Sequence, residues 1–196
     1  DGPERTDYTV TLDMHKGTLS RTIRYHMDGR NIVVHQERFV SMANSHLAGM
    51  GHVFESDSPG HVEIESGVDA DITNNGVAAY RSLTSEHFTV LNKGADWALV
   101  EILSTGVRVA VVTRTSSLRV RVAPDENGFV SKLAAIYTSR DAGIGDPLYA
   151  AQNALNLAPS YAVARQASQG VWEALWDTAG DINLGPHEEG TREASI

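Results

Sequence analysis

The sequence predicts a mainly β protein, an antiparallel sandwich or barrel followed by two helices. Apolar and polar residues alternate with a period of two from about Tyr8 to Tyr137, as expected for strands that bury one face. Clusters of Gly, Pro, Asn and Asp divide this stretch into about nine or ten segments. No helical pattern lies between these segments, which argues against a fold of alternating strands and helices. After Arg140 the spacing of apolar residues becomes helical.

The first clear strands form a predicted hairpin. In GTLSRTIRYHM, Leu19 and Ile23 fall on one face together with Tyr25 and Met27. Asp28-Gly29 follows, a dipeptide that tolerates positive φ at both central positions of a tight hairpin turn. RNIVVHQERFVS then runs back as the partner strand.

Seven further segments are predicted as strands, and turn residues separate them. The turn clusters lie at residues 58–60, 74–76, 93–94, 105–106 and 124–128. In chain order the segments are HLAGMGHVFES, HVEIES, AAYRSLTSEHFTVLN, DWALVEILS, VRVAVVTRT, SLRVRVA and FVSKLAAIYTSR.

Two helices are predicted after the strands. Asp146 is a good N-cap residue and Pro147 suits the first helical position, so LYAAQNALNLA forms a short amphipathic helix that Pro159 ends. The next segment, YAVARQASQGVWEALWD, places Trp172 and Trp176 one helical turn apart. Its predicted apolar stripe consists of the two tryptophans with Ala164, Ala167, Val171 and Leu175.

Composition excludes several classes of function. The 196 residues carry a net charge of −9, which repels phosphate backbones, so we expect no nucleic-acid partner. The chain has no cysteine and therefore no disulfide, thiolate metal site or cysteine nucleophile. No apolar run approaches the ~20 residues that span a bilayer, and the start DGPERTD lacks the features of a signal peptide. We expect no membrane partner.

One segment is similar to the opening of a calcium-binding loop. Asp69, Asp71 and Thr73 have the required spacing. However, Asn74 stands where the loop needs glycine, and Tyr80 stands where it needs a bidentate glutamate. We therefore expect no calcium site.

The other candidate motifs also have structural interpretations. Glu63 and Glu65 share one strand face and could form an acid/base pair, but alternation explains them as the solvent face of a strand whose Val62 and Ile64 point inward. Gly143-Ile-Gly145 lacks a third glycine, and no Gly-x-Ser-x-Gly elbow exists. Seven of the eight histidines are scattered over the predicted β region and form no metal-binding pattern; they stand at positions 15, 26, 35, 46, 52, 61 and 87. We assign no catalytic, cofactor-binding or metal-binding residue.

Four pieces of the sequence, in order, resemble the N-terminal part of glycoside hydrolase family 65. That family contains maltose, trehalose, kojibiose and nigerose phosphorylases and acid trehalases. The pieces are a strand with Leu12, Asp13, Gly17 and Leu19; a strand with Arg38, Phe39, Ser41, His46, Leu47 and Ala48; a short segment from Thr138 to Asp141; and a final segment with Trp172, Trp176, Asp181 and Ile182.

The resemblance implies a large super-β-sandwich joined by a helical linker to an (α/α)6 barrel that carries the chemistry. The expected divisions are a sandwich over residues 1–140, a linker of two helices over 141–184 and a polar tail over 185–196. Ser168 stands where the family usually has a histidine, so a linker contact is expected to be lost or remodelled. The tail does not continue into the expected first barrel helix, and the resemblance places the catalytic glutamate beyond residue 196.

The function implied is that of the non-catalytic N-terminal part of an enzyme that cleaves α-linked glucose disaccharides with inversion. Phosphorolysis and hydrolysis both remain open, with no cofactor and with inorganic phosphate as co-substrate in the first case. The expected partner is a disaccharide bound through the barrel, and a homodimer is allowed. The lack of cysteine and of N-glycosylation sequons favours a cytoplasmic over a secreted enzyme.

The alternative is a free-standing carbohydrate-binding or accessory sandwich. Sugar-binding faces present aromatic rings to the pyranose, so this alternative requires an exposed ring on a concave face. The candidates are Tyr80, Phe88, Trp97 and Tyr137.

Overall fold

A computed structural model describes residues 4–27, 29–70 and 87–179 of the chain. Ten strands precede two helices within these residues, which confirms the predicted mainly β fold class. The elements are β1 (Glu4–Asp13), β2 (Thr18–Met27), β3 (Arg30–Val40), β4 (Leu47–Ser56), β5 (Gly60–Glu63), β6 (Phe88–Lys93), β7 (Trp97–Ile102), β8 (Val107–Thr115), β9 (Arg119–Val122), β10 (Gly128–Thr138), α1 (Pro147–Leu157) and α2 (Tyr161–Ala179).

Eight strands form one antiparallel sheet, in the order β1-β2-β3-β4-β10-β8-β7-β6. The first four strands follow one another as a meander. β10 then pairs with β4, so the last strand of the chain joins the two halves of the sheet. β5 and β9 pair separately as a two-stranded ribbon.

The predicted first hairpin is confirmed. β2 and β3 pair from Thr18 opposite Phe39 to Met27 opposite Arg30. Gly29 has a φ of 72°, which is the positive value that a tight turn requires. Asp28 lies outside the described residues.

The two faces of the large sheet have different covers. On the face that we call the helix face, Phe39, Leu47 and Leu133 pack with Ala151 and Leu155 of α1 and with Ala164 of α2. On the opposite face, which we call the ribbon face, the β5–β9 ribbon packs on a second cluster. Its members are Val34, Phe54 and Val130 of the sheet and Val62, Ile64, Val120 and Val122 in or beside the ribbon.

α1 has the caps that its sequence predicts. Asp146 Oδ1 accepts hydrogen bonds from the backbone N–H groups of Leu148, at 2.9 Å, and Tyr149, at 3.2 Å. At the other end, Arg114 of β8 donates to the carbonyls of Leu155, at 2.9 Å, and Ala158, at 3.3 Å. This cation satisfies orphan carbonyls at the negative end of the helix dipole and so fixes α1 on the sheet.

Some predictions fall partly or wholly outside the described residues. These are residues 78–86 of one predicted strand, most of the calcium-like segment, and the chain after Ala179. Within the described ranges, no helix is long and apolar enough to cross a membrane.

Candidate functional site

Helix α2 is attached to the sheet by a series of side-chain contacts along one side of the helix. The helix is buried along a stripe of every fourth residue. Ala164 is 3% exposed and Ser168 1% exposed, while Trp172 and Trp176 are half-buried. The predicted stripe was correct for Ala164 and the tryptophans but wrong for Ala167, Val171 and Leu175, which are exposed. Burial every fourth residue forms a narrower contact than the broad apolar face expected of a core helix.

Trp176 is held by the turn between β1 and β2. Its indole Nε1 donates to the backbone carbonyl of Met14 at 2.8 Å, and its ring lies 4.8 Å from that of His15. These contacts attach the last turns of α2 to a loop 162 residues earlier in the chain.

Trp172 packs directly on Gly17 of the same turn. Gly17 has a φ of 61°, and a Cβ atom at this position would overlap the indole ring. Asp13 supports the turn, because its Oδ1 accepts from the backbone N–H of Lys16 at 3.1 Å. The first and last sequence pieces behind the family resemblance are therefore in contact with each other.

Ser168 makes contacts at the position where the family usually has a histidine. Its hydroxyl accepts from the backbone N–H of Met42 at 3.1 Å and donates to the carbonyl of Val40 at 3.5 Å. The small side chain thus ties α2 to the turn that follows β3.

The two middle pieces of the resemblance also meet. The ring of His46 stacks on that of Tyr137, with centroids 3.9 Å apart and an interplanar angle of 7°. Asp141 Oδ2 accepts from the backbone N–H of Thr138 at 2.6 Å and lies 3.9 Å from His46 Nδ1. These residues fix the end of β10 where the chain turns towards α1.

A cleft of about 1080 Å³ separates α2 from the helix face of strands β2 to β4. At its centre the carboxylate of Glu37 accepts two hydrogen bonds from Arg165 and one, at 3.1 Å, from the hydroxyl of Tyr161. Burial raises the pKa of Tyr161, and the neighbouring Glu37 charge raises it further. Tyr161 therefore remains a hydrogen-bond donor at all physiological pH values.

The walls of this cleft combine polar side chains with apolar surface, which includes one exposed ring. Phe129 is 51% exposed, and its ring centroid is 6.0 Å from that of Tyr161. On the sheet, the hydroxyl of Thr22 is hydrogen-bonded to His35 Nδ1 at 3.1 Å. Ser20, Gln166, Gln169 and Glu173 also line the cleft. We call this region the helix cleft.

The candidates from the sequence do not converge on one site. Glu63 is exposed beside Arg119 at 3.9 Å, and Val62 and Ile64 pack inward, as predicted. Asp69 is exposed, whereas Asp71, Thr73, Asn74 and Tyr80 lie outside the described residues. Over the parts of the chain that the structure describes, no group of three or more His, Asp or Glu side chains could hold a metal ion.

Most of the histidines take part in separate local contacts. His26 bonds with Asn31 at 3.0 Å, His35 lies 3.4 Å from Glu55, and His52 Nε2 lies 2.6 Å from Gln36 Nε2. The rings proposed as a sugar platform, Phe88, Trp97 and Tyr137, are half-buried. The sequence did not single out Phe129. Strand alternation shows which residues share one face of a strand, but it does not show which part of that face the helices leave exposed.

Comparisons with known proteins agree on one family. Residues 1–175 match the model of the N-terminal domain of glycosyl hydrolase family 65. An uncharacterized glycosyl hydrolase of Mycobacterium tuberculosis, strain H37Rv, is 31% identical over 218 residues, covering 96% of this chain and 16% of the relative. A 1,2-alpha-glucosylglycerol phosphorylase of Bacillus selenitireducens is 31% identical over 70 residues, covering 35% of this chain and 9% of the phosphorylase.

The fold also matches a solved structure whose description is "putative kojibiose phosphorylase from human microbiome". The TM-score is 0.73 at 16% identity, over 89% of this chain and 25% of that one. At this identity the likeness concerns the fold alone. The chain spans a quarter or less of the length of each of these three proteins.

Proposed function

The chain belongs to glycosyl hydrolase family 65 as one of its N-terminal domains, and on that premise we propose that it is the non-catalytic support of a longer enzyme. The observation that carries this proposal is the extent of the match. Nearly the whole chain aligns with the mycobacterial relative, yet it accounts for only 16% of that protein. In this proposal the sheet and helix pair hold a following catalytic domain in place.

The attachment of α2 supports this role. Asp146 and Arg114 cap α1, and the contacts of Ser168 and Trp176 fix α2. A helix pair attached at this many points leaves the sheet in a defined direction. Such a pair can orient a domain that follows it, whereas a flexible linker cannot.

The proposed reaction of the longer enzyme is cleavage of α-linked glucose disaccharides of the maltose, trehalose or kojibiose type, with inversion. In an inverting enzyme one carboxylic acid protonates the leaving oxygen while a nucleophile attacks the opposite face of the sugar. A phosphorylase uses inorganic phosphate as that nucleophile, and a hydrolase needs a carboxylate to activate water. We assign neither group to this chain and propose no cofactor.

We place the enzyme in the cytoplasm, with homodimerisation as an allowed assembly. This placement is supported by the lack of cysteine in the chain. The partner proposed for the domain is the catalytic domain of its own polypeptide.

The test is a disaccharide assay of the pure chain with and without phosphate. We expect no release of glucose or glucose 1-phosphate from maltose, trehalose or kojibiose. Turnover that co-purifies with the folded chain and survives a second purification step would overturn the proposed support role.

The helix cleft favours a second candidate function, binding of a neutral carbohydrate. Its half-exposed Phe129 ring could pack against the C–H face of a pyranose, and the side chains of Gln166 and Gln169 could bond its hydroxyls. Calorimetric titration with maltose, trehalose and kojibiose tests this candidate. Phe129→Ala should then weaken binding about tenfold, and Tyr149→Ala, which removes a 69% exposed ring outside the cleft, should not.

A further inference from the structure

A group of basic and amide side chains lies on the ribbon face of the large sheet. Arg21 of β2, Gln36 of β3 and His52 of β4 stand directly opposite one another on the paired strands, so their side chains share one face. The ring of His52 is 5.9 Å from that of Phe54, which packs with the ribbon, and this identifies the face. Arg38 is two positions after Gln36 and points the same way. We call Arg21, Gln36, Arg38 and His52 the basic cluster.

Arg21 and Gln36 also border the helix cleft, which lies on the other side of the sheet. The side chains of Ser20 and Thr22 line that cleft, so alternation directs the side chain of Arg21, which stands between them, to the ribbon face. Gln36 Nε2 donates to Met50 Sδ at 3.4 Å, and Met50 stands opposite Arg38 on the ribbon face. The polar ends of both side chains therefore belong to the basic cluster.

Three buried polar atoms of the basic cluster have no partner. Arg21 Nε and Arg38 Nε are donors without an acceptor, and Gln36 Oε1 is an acceptor without a donor. Gln36 is only 6% exposed, so bulk water does not easily satisfy its amide oxygen. Buried polar groups normally have partners. The grouping of two donors and one acceptor points to a ligand that both accepts and donates hydrogen bonds.

The basic cluster also carries positive charge that no described carboxylate offsets. The carboxylates of β3 and β4 pair elsewhere, Glu37 with Arg165 and Glu55 with His35. In the described ranges, neither Arg21 nor Arg38 is among the arginines that form a salt bridge. This local excess of positive charge lies in a chain whose net charge is −9.

His52 responds to this positive charge. Burial lowers the pKa of His52, and the charges of Arg21 and Arg38 lower it further. Val130, the residue opposite His52 on β10, is uncharged. A neutral His52 accepts from Gln36 Nε2, which lies 2.6 Å from its own Nε2. This bond and the one to Met50 orient the amide of Gln36, so that its Oε1 remains the free acceptor.

The positions of the two arginines suit a tetrahedral oxyanion. Arg21 and Arg38 are diagonal neighbours on adjacent strands, about 7–8 Å apart in the backbone. A phosphate group has enough oxygen atoms to accept from both guanidinium groups, whereas one arginine alone satisfies a carboxylate. Inorganic phosphate at neutral pH also keeps a hydroxyl group, which can donate to Gln36 Oε1.

An ion can reach the cluster from solvent. Arg38 lines an open cavity of about 690 Å³ on this side of the sheet, next to Leu19 and Met50. Arg21 and His52 are only half-buried.

We propose that the basic cluster is a binding site for inorganic phosphate, in which Arg21 and Arg38 hold the charged oxygen atoms and Gln36 Oε1 accepts from the phosphate hydroxyl. This site goes beyond the support role proposed above and does not depend on it.

Calorimetric titration of the chain with phosphate at neutral pH and constant ionic strength tests the site. We expect saturable binding that Arg21→Gln or Arg38→Gln weakens about tenfold or more. The matched control is Arg24→Gln, which removes the same charge from β2 on the opposite face, where Arg24 lies 3.8 Å from Asp7. The control should keep its affinity. A lack of saturable binding to the natural chain, or an equal loss in Arg24→Gln, would overturn the proposal.

Sulfate provides a test that needs no variant. It has the shape of phosphate and two negative charges but no hydroxyl at neutral pH, so it leaves Gln36 Oε1 unpaired and should bind about tenfold more weakly. Equal affinities for the two ions would contradict the assignment to phosphate.

The imidazole signals of His52 in nuclear magnetic resonance give a second readout. Bound phosphate adds negative charge beside this ring, so the pKa of His52 should rise as phosphate is added. A pKa that stays constant at saturating phosphate would place the ion elsewhere and overturn the site. Circular dichroism checks that each variant is folded.

Discussion

At the scale of single residues, Gly17 meets two requirements at once. Its φ of 61° favours glycine, and the ring of Trp172 occupies the space where a Cβ would stand. Gly106 is a matched control, because its φ is 65° but no atom lies within 4 Å of the corresponding position. Of these two glycines, only Gly17 combines a left-handed φ with a close side-chain contact.

We predict that Gly17→Ala lowers the free energy of unfolding by about 2–4 kcal/mol, from backbone strain and displacement of Trp172. Gly106→Ala should cost only about 1 kcal/mol, from strain alone. Denaturant unfolding of both variants measures the difference. Equal costs would show that the contact between Trp172 and the turn does not stabilise the protein.

Glu37 provides a second residue-scale prediction. Glu37→Gln removes the charge that Arg165 and Tyr161 share in the helix cleft, and we expect a loss of about 1–2 kcal/mol because the pair is only half-buried. Glu101→Gln, which breaks the more exposed pair with Arg108, should cost less than about 0.5 kcal/mol. A double-mutant cycle with Arg165→Gln would contradict the assignment if the two changes were simply additive.

His52 gives the molecule a pH dependence on the ribbon face. Burial lowers its pKa, and the charges of Arg21 and Arg38 lower it further. The unfolded chain therefore binds more protons than the folded one as the pH falls through the usual histidine range near 6.5. Stability from this group is present above that range and is lost below it.

Accordingly, the free energy of unfolding should fall more steeply between pH 7 and pH 5 in the natural chain than in His52→Gln. His61→Gln, a change at an exposed residue of the ribbon, is the control. Parallel pH profiles for the natural chain and His52→Gln would rule out this role for His52.

At the scale of elements, α2 depends on its narrow stripe of contacts. Trp176→Ala removes a half-buried ring and its hydrogen bond to Met14, so we expect a loss of about 2–3 kcal/mol, below the range for a fully buried tryptophan. Hydrogen exchange should show the loss mainly in α2. A loss shared equally by α2 and the central strands would contradict a separable helix.

The strands could be predicted from the sequence because each strand buries one face. One-sided burial produces an alternation of apolar and polar residues that can be read from the sequence. The helix caps at Asp146 and Pro147 were equally clear, since capping is local chemistry. The pairing of β10 with β4 was not predictable, because nothing local to either strand records a partner some 80 positions away. The burial stripe of α2 was predicted only in part, because its partner surface is a turn and not a broad apolar layer.

The candidate site was less predictable than the fold. The pieces behind the family resemblance take part in structural contacts, such as Gly17 with Trp172 and His46 with Tyr137. The helix cleft combines residues from β2, β3, β10 and α2, which are far apart in the sequence. The composition of each segment gives no sign of such a convergence.

At the scale of the whole molecule, the central claim is that this domain supports the catalytic part of a longer polypeptide. The most direct test is the denatured mass of the natural gene product, compared with the 21.2 kDa of this chain. Our account predicts a product several times heavier. A natural product close to 21.2 kDa would contradict it and would favour a free-standing binding domain.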